Sequence, residues 1–167
     1  MEKGIIQIYY GAGIGKTSAA LGNAIRRASN GATVYFIRFL KGQFDSEYLT
    51  RLEPEIKTFR FERSLNGFDT LNEEERQEEK ANILNGLNFA KKALSTGECD
   101  ILVLDEILGA VNEGVVSTDD IKEVLSQRGP FTSVIMTGIE LPEEIREISD
   151  QVLNIVPEKE VESIDTV

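Results

Sequence analysis

Residues 10–18 read Tyr10-Gly11-Ala12-Gly13-Ile14-Gly15-Lys16-Thr17-Ser18. The apolar residues 5–9 before them have the composition of a buried strand, and residues 19–28 after them have that of a helix. Strand, glycine-rich turn, lysine, hydroxyl and helix together make a phosphate cradle. The N–H groups at a helix start lack intrahelical acceptors, and the helix dipole favours negative charge there. Glycines let the backbone curl round an oxyanion without a Cβ in the way. Lys16 brings positive charge, and the Thr17 or Ser18 hydroxyl is of a kind that can sit on Mg²⁺. The widespread form of this motif carries a glycine separated by four residues from the Gly-Lys pair. Here that position is Tyr10, and the glycines stand at 11, 13 and 15, so the loop is tighter or held differently.

Working outward, residues 33–39 (TVYFIRF) read as a second strand, and the helix at 17–29 between the two strands implies a βαβ unit in a parallel sheet. Leu21, Ala24, Ile25 and Ala28 share one side of that helix at 3.6 spacing and are its expected buried face. Residues 45–52 suggest a short helix, 57–61 a third strand, and 63–71 a loop with its turn at Asn66-Gly67 and Phe68 exposed. A long helix is expected over 72–94, acidic in its first half and carrying Ile83, Leu87, Ala90 and Leu94 on one face. Strands at 100–104, 133–137 and 151–156 follow, with helices starting near Ser117 and at Pro142. This alternation is that of a doubly wound, mostly parallel α/β sheet of about six strands around a P-loop, RecA-like core. Residues 1–156 are expected to form one domain and 157–167 an acidic tail.

A second constellation completes the first. Ile101-Leu102-Val103-Leu104 runs into Asp105-Glu106, an apolar strand ending in two carboxylates. An acid at the end of a neighbouring buried strand can reach a cation held by the loop hydroxyl and the phosphates. Thr17, Asp105 and Glu106 are therefore the expected metal ligands, and Mg²⁺ suits their hard oxygens.

Composition narrows the remaining possibilities. The formal net charge is −11, which argues against nucleic acid or an anionic membrane as a partner. With no histidine, a Ser-His triad and histidine metal sites are excluded. A single cysteine, Cys99, suits a reducing compartment. With neither a leader segment nor a long apolar run, a cytoplasmic setting is expected.

Several stretches together resemble the ATP:corrinoid adenosyltransferases of the BtuR/CobO/CobP type. They are the loop and its continuation Ala19-Ala20-Leu21-Gly22, Phe39-Leu40-Lys41-Gly42, Val103-Leu104-Asp105-Glu106-Ile107, and Val134-Ile135-Met136-Thr137-Gly138. The resemblance spans nearly the whole chain. It implies transfer of the 5′-deoxyadenosyl group from ATP to the Co(I) of a corrinoid, with tripolyphosphate leaving and ATP lying reversed in the loop. It also implies a homodimer and a reduced flavoprotein as electron donor. By position, Gly11, Ala12, Gly13, Ile14, Gly15, Lys16, Thr17 and Ser18 would bind ATP, and Arg26 matches an ATP-contacting arginine on the first helix. Lys16 and Glu106 would act at the reacting phosphates, and Phe68 falls in a loop that displaces the lower cobalt ligand. Against the family pattern, Ala12 and Ile14 replace Asn and Lys, Ile139 replaces the arginine of Thr-Gly-Arg, and Glu160 replaces the histidine of Lys-His. Two alternatives stay open on the residues alone: a nucleotide-binding relative without transfer, and a small-substrate kinase or NTPase.

Overall fold

The computed structural model describes residues 2–40, 47–61 and 67–159. Six strands, β1 (Ile6–Tyr10), β2 (Val34–Arg38), β3 (Ile56–Arg60), β4 (Ile101–Asp105), β5 (Ser133–Gly138) and β6 (Gln151–Asn154), form one sheet in the order β3-β2-β4-β5-β1-β6. Every pairing is parallel. Among the described residues six helices connect them: α1 (Lys16–Ala28), α2 (Glu47–Thr50), α3 (Glu73–Thr96), α4 (Ile107–Asn112), α5 (Thr118–Ser126) and α6 (Glu143–Glu147), with a 3₁₀ turn at Phe68–Thr70. Among the described residues no helix is long and apolar enough to cross a membrane. The helix expected from residue 45 is described only from Glu47, and residues 41–46, 62–66 and 160–167 lie outside the described set. Lys41, Gly42, the first half of the Asn66-Gly67 turn and Glu160 therefore fall outside it, as does most of the expected tail; Pro157, Glu158 and Lys159 form neither helix nor strand.

The central strands β2, β4 and β5 are buried along their whole length, as a sheet covered on both faces requires. On one face α1 and α2 pack Ala20, Ala24, Ala28 and Leu49 against Val34, Phe36, Ile56, Val103 and Ile135. On the other, helices α3 to α6 cover Ile8, Ile37, Leu102, Leu104 and Met136. The buried stripe of α1 differs from the expected one: Ile25 is 42% exposed and Ala20 takes its place in the interface. Three alanines at a spacing of four residues let the helix axis approach the sheet closely, which a stripe with leucine and isoleucine would not allow. The long helix α3 starts with a reciprocal cap: Asn72 accepts from the Glu75 N–H and the Glu75 side chain accepts from the Asn72 N–H, both at 2.9 Å. Its buried face holds the expected Ile83, Leu87, Ala90 and Leu94.

The strand order decides the site. β1 and β2 are joined by α1 but are not neighbours, because β4 and β5 insert between them. The acid-bearing strand is likewise not next to the loop-bearing one, as the sequence suggested: β5 stands between β1 and β4. The carboxyl ends of all three open on the same side of the sheet, where ligands of such folds gather.

Candidate nucleotide and acceptor site

The glycine loop follows directly from the end of β1. Tyr10 is that strand's last residue, paired with Gly138, so the loop proper begins at Gly11 and is one residue shorter than the widespread form. The loop is held from outside. Gly11 donates its N–H to the Gly138 and Ile139 carbonyls at 3.2 and 3.1 Å, and Gly13 donates to the Ile155 carbonyl at 2.9 Å. Ile155 in turn donates to the Tyr10 carbonyl at 2.7 Å. A Cβ at position 11 would lie 2.3 Å from the Ile155 carbonyl oxygen, and one at 13 would lie 2.9 Å from it. Both glycines thus meet the chain leaving β6, and Gly11 in addition has a φ of +125° that side chains avoid. At Gly15 only the backbone decides: its Cβ would meet open space, but its φ of +103° is again one side chains avoid, and it turns the loop into α1.

The first intrahelical bond runs from the Ala19 N–H to the Gly15 carbonyl, so the N–H groups of residues 16–18 are the donors a helix start leaves free of intrahelical acceptors. Residues 12–18 and Glu106 line a cavity of about 260 Å³. Lys16 is buried at its edge, with Nζ donating to the Gly13 carbonyl at 2.7 Å. Ile14 is 97% exposed, so its side chain points to solvent from the loop tip.

Behind this cavity lies a hydroxyl–carboxylate chain. Thr17 Oγ1 donates to Asp105, 2.9 Å from Oδ1 and 3.2 Å from Oδ2. Thr137, at the end of the intervening β5, donates its hydroxyl to Asp105 Oδ1 at 2.8 Å and accepts the Glu106 N–H at 2.8 Å. Asp105 and Thr137 are fully buried. Glu106 itself has a φ of +63°, a left-handed conformation unusual for a side-chain-bearing residue, and it starts α4. The kink turns the chain out of the strand, so that Asp105 faces the loop hydroxyl while the Glu106 side chain reaches the cavity wall. Thr17, Asp105 and Glu106 supply only hard oxygens, which fits Mg²⁺. Among the described residues no cluster of three or more His, Cys, Asp or Glu side chains forms a metal cage. A cation there would draw its remaining ligands from phosphate and water, the usual habit of Mg²⁺.

Glu106 also borders a second cavity of about 280 Å³, whose wall includes Leu40, Phe68 and Ile139. Of the residues expected at the site, Ala12, Gly13, Ile14, Gly15, Lys16, Thr17, Ser18 and Glu106 meet at the first cavity, and Phe68 joins Glu106 at the second. Gly11 lies beneath, against Ile155. Arg26 is not brought in: it sits exposed in the last turn of α1, ten residues beyond Lys16 and so about 15 Å along the helix axis. Thr137 and α4 were not anticipated. Thr137 had a signal, as a hydroxyl directly after the apolar run Val134-Ile135-Met136, whereas residues 107–112 offered a single short turn interrupted by Gly109.

With the geometry in place, comparison with known proteins is informative. The family model described as ATP:corrinoid adenosyltransferase BtuR/CobO/CobP matches residues 2–163. A corrinoid adenosyltransferase from Escherichia coli (strain K12) is 30% identical over 158 residues, 95% of this chain and 79% of that protein. The corrinoid adenosyltransferase CobA from Salmonella typhimurium (strain LT2) is also 30% identical over 158 residues, with the same coverage. Among solved structures, the flagellar accessory protein FlaH from Methanocaldococcus jannaschii superposes with a TM-score of 0.59 at 15% identity, covering 92% of this chain and 72% of that one. That likeness shows the fold, a RecA-like P-loop α/β sheet.

Proposed function

Because the chain belongs to the ATP:corrinoid adenosyltransferase family of the BtuR/CobO/CobP type, we propose that it transfers the 5′-deoxyadenosyl group of ATP to the Co(I) of a corrinoid and releases tripolyphosphate. The observation that carries this reading is the shared wall at Glu106. A phosphate-sized cradle with one buried lysine opens beside a cavity that has an apolar side formed by Leu40, Phe68 and Ile139, so a nucleotide and an acceptor with an apolar face can meet there. In the reaction the cobalt electron pair attacks C5′, the C5′–O bond breaks, and tripolyphosphate leaves with that bonding pair; cobalt passes formally from Co(I) to Co(III). No proton moves, which suits a chain without histidine.

The protein's part is to position and to stabilise charge. Lys16 and the N–H groups of residues 16–18 hold the leaving phosphates. Thr17, Asp105 and Glu106 would hold Mg²⁺, which when bound neutralises phosphate charge. Phe68 and Leu40 shape the acceptor side. On this reading the protein works in the cytoplasm as a homodimer, with a reduced flavoprotein supplying the electrons that form Co(I).

The test is to mix the protein with ATP, Mg²⁺ and chemically reduced cobalamin. Adenosylcobalamin absorbance and free tripolyphosphate are expected together. ADP or orthophosphate in their place would indicate a kinase or NTPase, and tight ATP binding with no product would indicate a binding protein.

A further inference from the structure

Gly109 is a glycine that its own backbone does not require. It lies inside α4, where its N–H donates to the Glu106 carbonyl at 3.0 Å and its carbonyl accepts the Glu113 N–H at 2.9 Å. Its φ lies outside the left-handed region that Gly15 occupies. A glycine inside a helix weakens it relative to alanine, so the position carries a cost with no conformational return. Space is the remaining reason. A Cβ at 109 would stand 3.2 Å from Leu40 Cδ1 and 3.4 Å from Glu106 Oε2. Both neighbours are side-chain tips, so alanine would fit the fold with a shift of a few tenths of an ångström.

The bare position faces the second cavity. Gly109, Leu40 and Glu106 all line it, and Gly109 is only half-buried, with part of its surface open. Leu40 and Glu106 flank the patch with positive φ values of +51° and +63°, conformations that fix where each side chain stands. Behind the patch α4 has no room to retreat: its first turn is seated on Gly138, where a Cβ would lie 2.4 Å from Leu108 Cβ. Glu106 borders both cavities, whereas Gly109 borders only the second. A flat acceptor can therefore rest on helix backbone directly beside the wall it shares with the nucleotide. A methyl group at 109 would hold it off by about 1.5 Å, one carbon–carbon bond. A misplacement of about 1 Å can cost about 10²-fold in rate. We propose that Gly109 is a specificity-determining residue on the acceptor side, its missing side chain forming the seat on which the edge of a planar corrin rests beside the nucleotide. The inference rests on the corrinoid reading above and names the place on the chain where that acceptor lands.

The test compares Gly109→Ala and Gly109→Val with the parent, each as the full chain. Equilibrium dialysis of cob(II)alamin under nitrogen, with ATP and Mg²⁺ present, reports the seat through the corrin absorbance. Calorimetric titration of ATP with Mg²⁺ reports the cradle, and urea unfolding reports the fold. Corrin affinity should fall about fivefold or more for alanine and about thirtyfold or more for valine, as overfilling a packed site does. ATP affinity should stay within about twofold, because position 109 is not part of the cradle. Alanine should leave the stability unchanged or raise it, since a helix glycine is removed. A fold no weaker with the corrin lost is a combination that a purely structural glycine would not give. Unchanged corrin affinity in the valine variant, or ATP affinity falling in step with corrin affinity, would overturn the inference and leave the transfer reading standing. No corrin binding by the parent would overturn both. The expected order of corrin affinities without any adenosyl transfer would support the seat and remove the transfer reading.

Discussion

Replacing Thr137 by valine keeps the side chain's shape and removes only its hydroxyl, at a fully buried position. Two interactions go with it. The donor to Asp105 at 2.8 Å is a charge-assisted bond worth about 1.5–3 kcal/mol, and the Glu106 N–H, now 2.8 Å from a hydroxyl, loses its acceptor at a cost of about 1–3 kcal/mol. Asp105 keeps Thr17 as a donor, which moderates the first loss. The expected destabilisation is therefore about 3 kcal/mol. For a chain of this size that corresponds to roughly 6–12 °C in Tm. Glu106 holds its left-handed conformation partly through this bond, so its freed backbone should also move the carboxylate off the cavity wall and weaken the Mg²⁺ dependence of ATP binding. Urea unfolding followed by circular dichroism gives the first number, and calorimetric titration of ATP with and without Mg²⁺ gives the second. Thr137→Ser, which keeps the hydroxyl, should stay within about 1 kcal/mol of the parent. If valine costs less than about 0.5 kcal/mol and leaves the metal dependence intact, the hydroxyl is not what organises the acid pair.

Other consequences of the geometry are open to measurement. Lys16→Ala should abolish measurable ATP binding while leaving the fold intact, since among the described residues Nζ bonds only the Gly13 carbonyl; unchanged affinity would remove the cradle assignment. Gly13→Ala puts a Cβ 2.9 Å from the Ile155 carbonyl oxygen and should destabilise by about 1–3 kcal/mol, whereas Gly22→Ala, on the exposed side of α1 with open space around it, should be neutral to stabilising by up to about 1 kcal/mol; equal effects at the two sites would refute the latch at Ile155. Cys99 is buried and its thiol is pushed up to about 12, chiefly by desolvation, so iodoacetamide at about pH 8 should label only unfolded protein; fast labelling of the native chain would contradict that burial. The Ser117 hydroxyl, and secondarily its N–H, hold the Asp120 carboxyl below its ordinary value of 3.8. A depressed carboxylate stabilises the fold above that value and loses its contribution as pH falls through the lower folded-state value. Ser117→Ala should thus cost about 1 kcal/mol at neutral pH and progressively less well below 3.8 in urea titrations; a pH-independent difference would show that the carboxylate is not involved.

The sequence by itself determined the elements other than α4 and the chemistry they carry. Strand and helix periods, the glycine-lysine-hydroxyl loop and the Asp105-Glu106 pair are local patterns, each set by neighbours within a few residues. That is why the class of fold, a buried parallel sheet with a phosphate cradle, could be read directly. What local pattern does not encode is adjacency. Only the tertiary structure placed β5 between β1 and β4, and so put Thr137 between the loop and its acids. Only the chain leaving β6 explains why position 13 must lack a Cβ and why position 11, already held at a φ of +125°, has no room for one, because Ile155 is distant in sequence and meets the loop solely through sheet order. The buried face of α1 was settled by how closely that helix lies on the sheet, which favoured Ala20 over Ile25. Arg26 is a different case: its residue type suits a phosphate, but ten residues of rise along one helix carry it away from the cradle. The physical reason is common to the first three. Composition and period fix what a segment is, while packing between segments far apart in sequence fixes what it touches.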